Sequence, residues 1–176
     1  MNRIHKIALG DMASLEALYE QHKIRVFRLA LSMLGDIHLA EDVTQETFLR
    51  IQEHASTYCR DVSETAWITT ISRNLSHDYL RRRGKEISHN LEEDSGSKFS
   101  LANTLEQHAP EHIDSSTSDL YYLELIATLA PEEQEIVNLR ILADLSWKEI
   151  GRIMKLKTDA CRKRYKRALG KLKGRL

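Results

Sequence analysis

Residues 66–83, AWITTISRNLSHDYLRRR, carry side chains suited to handling unstacked nucleobases. Read at 3.6 residues per turn, Ile68, Ile71, Leu75 and Tyr79 line one apolar stripe. Trp67, Thr70, Asn74, His77 and Arg81 fall on the opposite, polar face, where a core helix does not ordinarily put a Trp. An indole offers a stacking surface, an amide can hydrogen-bond a base edge, and guanidiniums attract phosphate. The plainer account has Trp67 packed beneath the preceding loop and the arginine tail merely solvated, and this segment alone does not separate the two.

The charge map does more. Formal net charge is zero, with 26 basic and 26 acidic residues, which argues against a generic polyanion binder. The charges are segregated, however. Residues 146–176 hold twelve Lys/Arg against Glu149 and Asp159, whereas 86–118 hold seven acids against Lys98. A basic C-terminal block is the electrostatic footprint of a nucleic-acid surface, and an acidic, serine-rich stretch without period reads as a linker.

These groups need helices to position them. Only two prolines and seven glycines in 176 residues, with many Leu, Ile, Ala, Glu, Lys and Arg, favour an all-α chain of one domain or two small ones. From about Asp11, residues Leu15, Leu18, Tyr19, Val26, Ala30 and Leu34 recur at helical spacing up to a stop at Gly35. Asp36 then caps a second helix with Ala40, Val43, Thr44, Phe48 and Ile51 inward and Glu41, Asp42, Gln45 and Glu46 mostly outward. Asp61 and Glu64 suggest a capping box for the helix of 66–83, which Gly84 should end. Residues 85–118 are the linker, with a short helical turn expected at 101–107. Pro131 opens a helix carrying Ile136, Val137, Leu139 and Leu142. Ser146 and Glu149 form a capping box for a short helix with Trp147, Ile150, Ile153 and Met154 inward. Lys155–Lys157 make a tight turn, and a last helix from about Thr158 buries Cys161, Tyr165, Ala168 and Leu172. Its outer face shows Arg162, Lys163, Lys166 and Arg167. Two short helices across a three-residue turn, the second basic outside, describe a helix-turn-helix.

Catalytic chemistry finds little support. There is no Gly-rich phosphate loop and no HExxH, and no histidine pair sits beside a cysteine or carboxylate cluster at ligand spacing. His108 and His112 are four apart in the linker, a spacing better read as fortuitous. Neither a metal nor a cofactor is implied. Cys59 and Cys161 lack CxxC spacing and are expected to be reduced packing residues of a cytoplasmic protein. No export signal or membrane span is expected, because no h-region opens the chain and no apolar run approaches about 18 residues.

Three segments together resemble the extracytoplasmic-function sigma factors, the two-domain minimal class of bacterial RNA polymerase sigma subunit. AEDVTQETFLRI (40–51) resembles the family's polymerase-binding segment. AWITTISRNLSHDYLRRR resembles its promoter-melting, minus-ten-reading helix, and residues 129–173 resemble its minus-thirty-five-reading domain. The resemblance implies two small helical domains, 1–85 and 119–176, joined by a flexible acidic linker at 86–118, the second domain a helix-turn-helix. Asp42, Gln45 and Glu46 would contact the clamp helices of the polymerase's largest subunit. Trp67, Arg73, Asn74, Arg81, Arg82 and Arg83 would meet the exposed non-template strand. The loop 55–61 matches the family's flipped-base loop, with Tyr58 a candidate stacker. Arg162, Lys163, Lys166 and Arg167 would face the upstream element. The implied partners are core polymerase, promoter DNA and an anti-sigma factor. The free domains are expected to fold independently and to be able to close on one another in an anti-sigma complex.

Two departures bear on upstream preference. Lys155 stands where the family commonly has Gly, which costs on the order of 1 kcal/mol if the backbone there is left-handed. Asp159-Ala160-Cys161 replaces the usual Gly-Thr-Val, so that an acid enters a phosphate-facing surface, although Asp can accept from a cytosine amino group. Two other classes fit the same residues: a duplex-binding helix-turn-helix regulator that works without polymerase, and an adaptor whose basic helices bind an acidic protein.

Overall fold

The computed structural model describes residues 2–89 and 117–174, all of whose regular elements are helical. The first unit contains α1 (Arg3–Ala8), α2 (Met12–Leu34), α3 (Ile37–His54), a 3-10 turn (Ala55–Thr57) and α4 (Glu64–His89). The second contains α5 (Thr117–Ile126), α6 (Pro131–Ile141), α7 (Trp147–Met154) and α8 (Thr158–Lys173).

Local chemistry sets most boundaries. Asp11 and Asp36 accept the backbone N–H of Ser14 and Leu39 at 3.2 and 3.1 Å, each cap being worth about 1 kcal/mol. Gly35 closes α2 in the left-handed region at φ 64°. Helix α1, absent from the sequence reading, is capped by Asn2 and buries Ile4 and Ile7 against the rest of the first unit. Two expectations are corrected. The cap of α4 is Ser63, whose Oγ accepts the Ala66 N–H at 3.1 Å; Glu64 is already helical and bonds elsewhere. Nor does Gly84 end α4, which runs on to His89. A lone Gly costs a helix only about 1 kcal/mol, and nothing here requires it to turn left-handed.

The inward stripes fall as their periods imply: Ala40, Val43, Thr44, Phe48 and Ile51 are buried on α3, and Ile136, Val137 and Leu139 are fully enclosed on α6. Small polar residues Thr69, Ser72 and Ser76 are also buried along α4. The helix-turn-helix is formed by α7 and α8. Ser146 and Glu149 make the expected reciprocal cap, and Lys155 is left-handed at φ 55°, the conformation in which a Cβ is costly.

The two units pack against each other in this structure. Ala66 of α4 is buried in the second unit's core cluster, and Leu123 of α5 is buried in a cluster of α2, α3 and α4 residues. Helix also occupies 86–89 and 117–118 at the two ends of the segment read as a linker. The rest of that segment, including 101–107, His108 and His112, lies outside the described residues.

Candidate nucleic-acid and polymerase interface

On α3, burying Val43, Thr44, Thr47 and Phe48 turns the opposite stripe outward. Asp42 and Gln45 are exposed, and Glu46 is half-exposed with an ion pair to Arg50 at 2.9 Å. This side presents carboxylates and an amide on a rigid element, and changes there need not disturb the core.

On α4 the candidate single-strand residues divide into three groups. Trp67 and Asn74 line an open recess of about 270 Å³ together with Thr57, His54, Arg50 and Asp78. One water's share of the liquid is about 30 Å³, so the recess holds far more than a bound water. Trp67 is half-buried and packs into the first unit's core, while Asn74 is exposed. Tyr58, offered by the sequence as a stacker, sits edge-on to Trp67 with ring centroids 5.2 Å apart and donates its hydroxyl to the Val62 carbonyl at 2.6 Å. Its position braces the indole. The second group, Arg81, Arg82 and Arg83, is exposed at the far end. Arg81 pairs with Asp78 at 2.9 Å, and Arg82 lies over the Tyr79 ring at 5.8 Å. The third group faces the other unit: Arg73 donates to Glu135 of α6, and the His77 imidazole lies 3.7 Å from the same carboxylate oxygen. Burial pushes the Glu135 carboxyl up, but these two donors outweigh it and hold it below the usual carboxylate range.

On α8, Arg162, Lys163, Lys166 and Arg167 are all exposed, while Cys161, Ala168 and Leu172 are enclosed beneath them. Asp159 lies 3.8 Å from Arg162, which offsets part of its repulsion for phosphate. Gly151 of α7 permits the turn: a Cβ there would stand 2.7 Å from the Leu156 carbonyl oxygen. Cys59 is exposed, contrary to the packing role expected of it, because it lies in the loop after the 3-10 turn; Cys161 is buried as expected.

Several participants escaped sequence reasoning. Arg50 and His54 reach the recess from α3, and Glu135 reaches Arg73 from α6; no local period links them. His22, 1 % exposed, places Nε2 3.3 Å from Glu64, which also lies near Arg3. The His22 hydrogen bond, with help from the Arg3 charge and against the opposing effect of burial, holds the Glu64 carboxyl below its ordinary value. This cluster anchors the start of α4 to α1 and α2. Among the described residues no helix is long and apolar enough to cross a membrane.

Two stretches of the chain match known family models. Residues 18–86 match the family model for Sigma-70 region 2, and residues 119–172 match that for Sigma-70 region 4. The chain is 32% identical over 145 residues to the ECF RNA polymerase sigma factor SigM of Bacillus subtilis, covering 81% of this chain and 83% of SigM. It is 32% identical over 157 residues to the sigma factor BldN of Streptomyces coelicolor, covering 88% of this chain and 57% of BldN. To SigE of Mycolicibacterium smegmatis it is 35% identical over 172 residues, covering 94% of this chain and 64% of SigE. The chain therefore spans less than two thirds of the length of the latter two. Among solved structures, CnrH in complex with the cytosolic domain of CnrY aligns with a TM-score of 0.71 at 20% identity, over 98% of this chain and 93% of that one. RpoE in complex with the anti-sigma factor NepR from Bartonella quintana aligns at 0.65 and 20% identity, over 89% of this chain and 94% of that one. At such identity the likeness is one of fold.

Proposed function

The chain belongs to the extracytoplasmic-function RNA polymerase sigma factors, and from that premise we propose that it directs core polymerase to particular promoters and helps open them. The observation that carries this reading is the recess on α4, where an indole and an exposed amide stand together on one helix. A regulator that binds only duplex DNA has no use for such a recess.

In this reading Asp42, Gln45 and Glu46 dock the first domain on the clamp helices of the polymerase's largest subunit. Arg162, Lys163, Lys166 and Arg167 grip the upstream element in the major groove. Trp67 and Asn74 then receive bases as they leave the stack, with Tyr58 acting through its contact on Trp67. Arg81, Arg82 and Arg83 follow the phosphates, and Arg73 joins them when it is free. Trapping a flipped base offsets an unstacking cost of a few kcal/mol, and a stacked base contributes about 1–3 kcal/mol. Opening is thus driven by binding, and the chain acts as a cytoplasmic initiation factor rather than as an enzyme. CnrH and RpoE were each solved with a bound protein, in the second case an anti-sigma factor; by analogy an anti-sigma factor is proposed to hold this chain.

Two variants test the division of labour. Asp42→Arg with Glu46→Arg changes outward side chains only and sets like charge against a basic docking surface. It should stay folded yet fail to co-purify with core enzyme. Asn74→Ala, alone and with Trp67→Ala, should bind core and duplex promoter but open it poorly, and an artificially pre-opened promoter should rescue it at least partly. Full promoter activity in both variants would sink the sigma-factor reading and leave a duplex-binding regulator as the better account.

A further inference from the structure

The contact between the two domains falls on a residue, Arg73, that the proposed function needs elsewhere. Glu135 of α6 receives Arg73 and lies 3.7 Å from His77, both on α4. The Arg73 and Glu135 side chains are only 21% and 11% exposed, so neither is freely available to a nucleic acid. Three further contacts extend the seam toward the start of α4: Ser63 donates to Glu149, Arg152 donates to the Asp61 carbonyl at 3.1 Å, and Ala66 is buried among second-domain residues. Glu149 also caps α7, so the helix-turn-helix itself is tied to the first domain.

Span adds a second constraint. Each base pair advances a duplex by about 3.4 Å, so the minus-thirty-five and minus-ten elements of the proposed function, about 25 pairs apart by their designations, are separated by roughly 85 Å. A compact chain of 176 residues is roughly 40 Å across. The packed form can therefore present its recognition helix, or its α4 recess, but cannot place both on their elements at once.

We propose that Glu135 is an autoinhibitory latch: it holds the second domain over α4, withholds Arg73 from the open strand, and must release it before the chain can span a promoter. This rests on the sigma-factor reading for its consequence but not for its geometry. The latch is made of charge-assisted bonds on a partly buried surface, which exchange readily for phosphate contacts once polymerase docking pulls the domains apart. Its effect is a coupling between domain closure and nucleic-acid binding, of the size such couplings usually have, about 5-fold upward.

The test uses the full chain. Spin labels on the exposed Cys59 and on a Lys173→Cys substitution report the separation of the two domains, since the enclosed Cys161 does not react in the folded state. The parent should show one short distance. Glu135→Gln and Glu135→Arg should broaden and lengthen it, and adding Arg73→Glu to Glu135→Arg should restore it, which a merely misfolded variant could not do. In parallel, the free protein's affinity for a pre-opened promoter fragment should rise roughly five- to tenfold in Glu135→Gln. Glu132→Gln is the control: it removes the same charge from the same helix, but its partner, Arg164 at 2.6 Å, lies within the second domain. That control should change affinity less than twofold. An unchanged distance in both Glu135 variants overturns the latch. A longer distance with an affinity gain no greater than that of Glu132→Gln overturns the autoinhibitory role. Failure of the sigma-factor reading would show up separately, as a parent protein that directs core enzyme to no promoter while its interdomain distance still responds to Glu135.

Discussion

Replacing Gly151 by Ala should damage the helix-turn-helix through backbone contact alone. The added Cβ would lie 2.7 Å from the Leu156 carbonyl oxygen, well inside the roughly 3.5 Å at which heavy atoms attract. The obstacle is backbone in a tight turn, and the Leu156 N–H already donates to the Gly151 carbonyl at 2.9 Å, so α7 and the turn must part. Overpacking of this kind costs about 1–3 kcal/mol. The better helix propensity of Ala returns about 1 kcal/mol, leaving a net loss of roughly 1–2 kcal/mol, since a backbone obstacle puts the clash toward the upper end. Lys155→Gly is the companion change in the opposite direction. It relieves a left-handed residue at φ 55°, worth about 1–2 kcal/mol, and gives back about 0.4–1 kcal/mol of unfolded-state entropy, for a net gain of roughly 0.8 kcal/mol. The chain has two tryptophans, one in each domain. In a Trp67→Phe background the fluorescence of Trp147 therefore reports urea unfolding of the second domain by itself. A Gly151→Ala midpoint equal to or above that of its parent would refute the steric account. The same variant should retain core-polymerase binding while losing dependence on an upstream element.

Three further outcomes are expected. Native-state alkylation followed by mass spectrometry should modify the exposed Cys59 promptly and the enclosed Cys161 only after unfolding; equal rates would show that the second core opens readily. The folded-state pKa of Glu64 is lowered, so its stabilising contribution is fully present above the ordinary carboxylate value of about 4.3 and is lost as pH falls through the lower folded value. Between about pH 5 and 3 the parent's urea midpoint should therefore fall more steeply than that of Glu64→Gln, and parallel curves would count against the His22–Glu64 anchor. Ser63→Ala removes both the α4 cap and the bond to Glu149; it should cost about 1 kcal/mol from the cap alone, measured by chemical denaturation, and a neutral result would show that the cap is idle.

The amino-acid sequence by itself determined those features that depend on neighbours within a turn or two. Asp36, Gly35, Pro131 and the Ser146/Glu149 pair all act where they were expected, because capping and helix termination are settled over three or four residues. The buried stripes of α3, α6 and α8, and the exposed cations of α8, follow from helical period for the same reason. Local signals could also mislead: Asp61 matched a capping pattern two residues too early, and Gly84 reads as a stop although a helix tolerates it. What only the tertiary structure decided lies between residues far apart in the chain. Tyr58 looked free to stack until its hydroxyl was seen committed to Val62 and its ring set against Trp67. Arg73 read as a strand contact, and its partner Glu135 stands some sixty positions away with nothing in between to mark the pairing. The recess beside Asn74 likewise needs Arg50 and His54 from another helix. Such contacts arise from the packing of whole helices against one another, where shape and charge are matched after the local structure has formed, and no short-range period in the sequence encodes them.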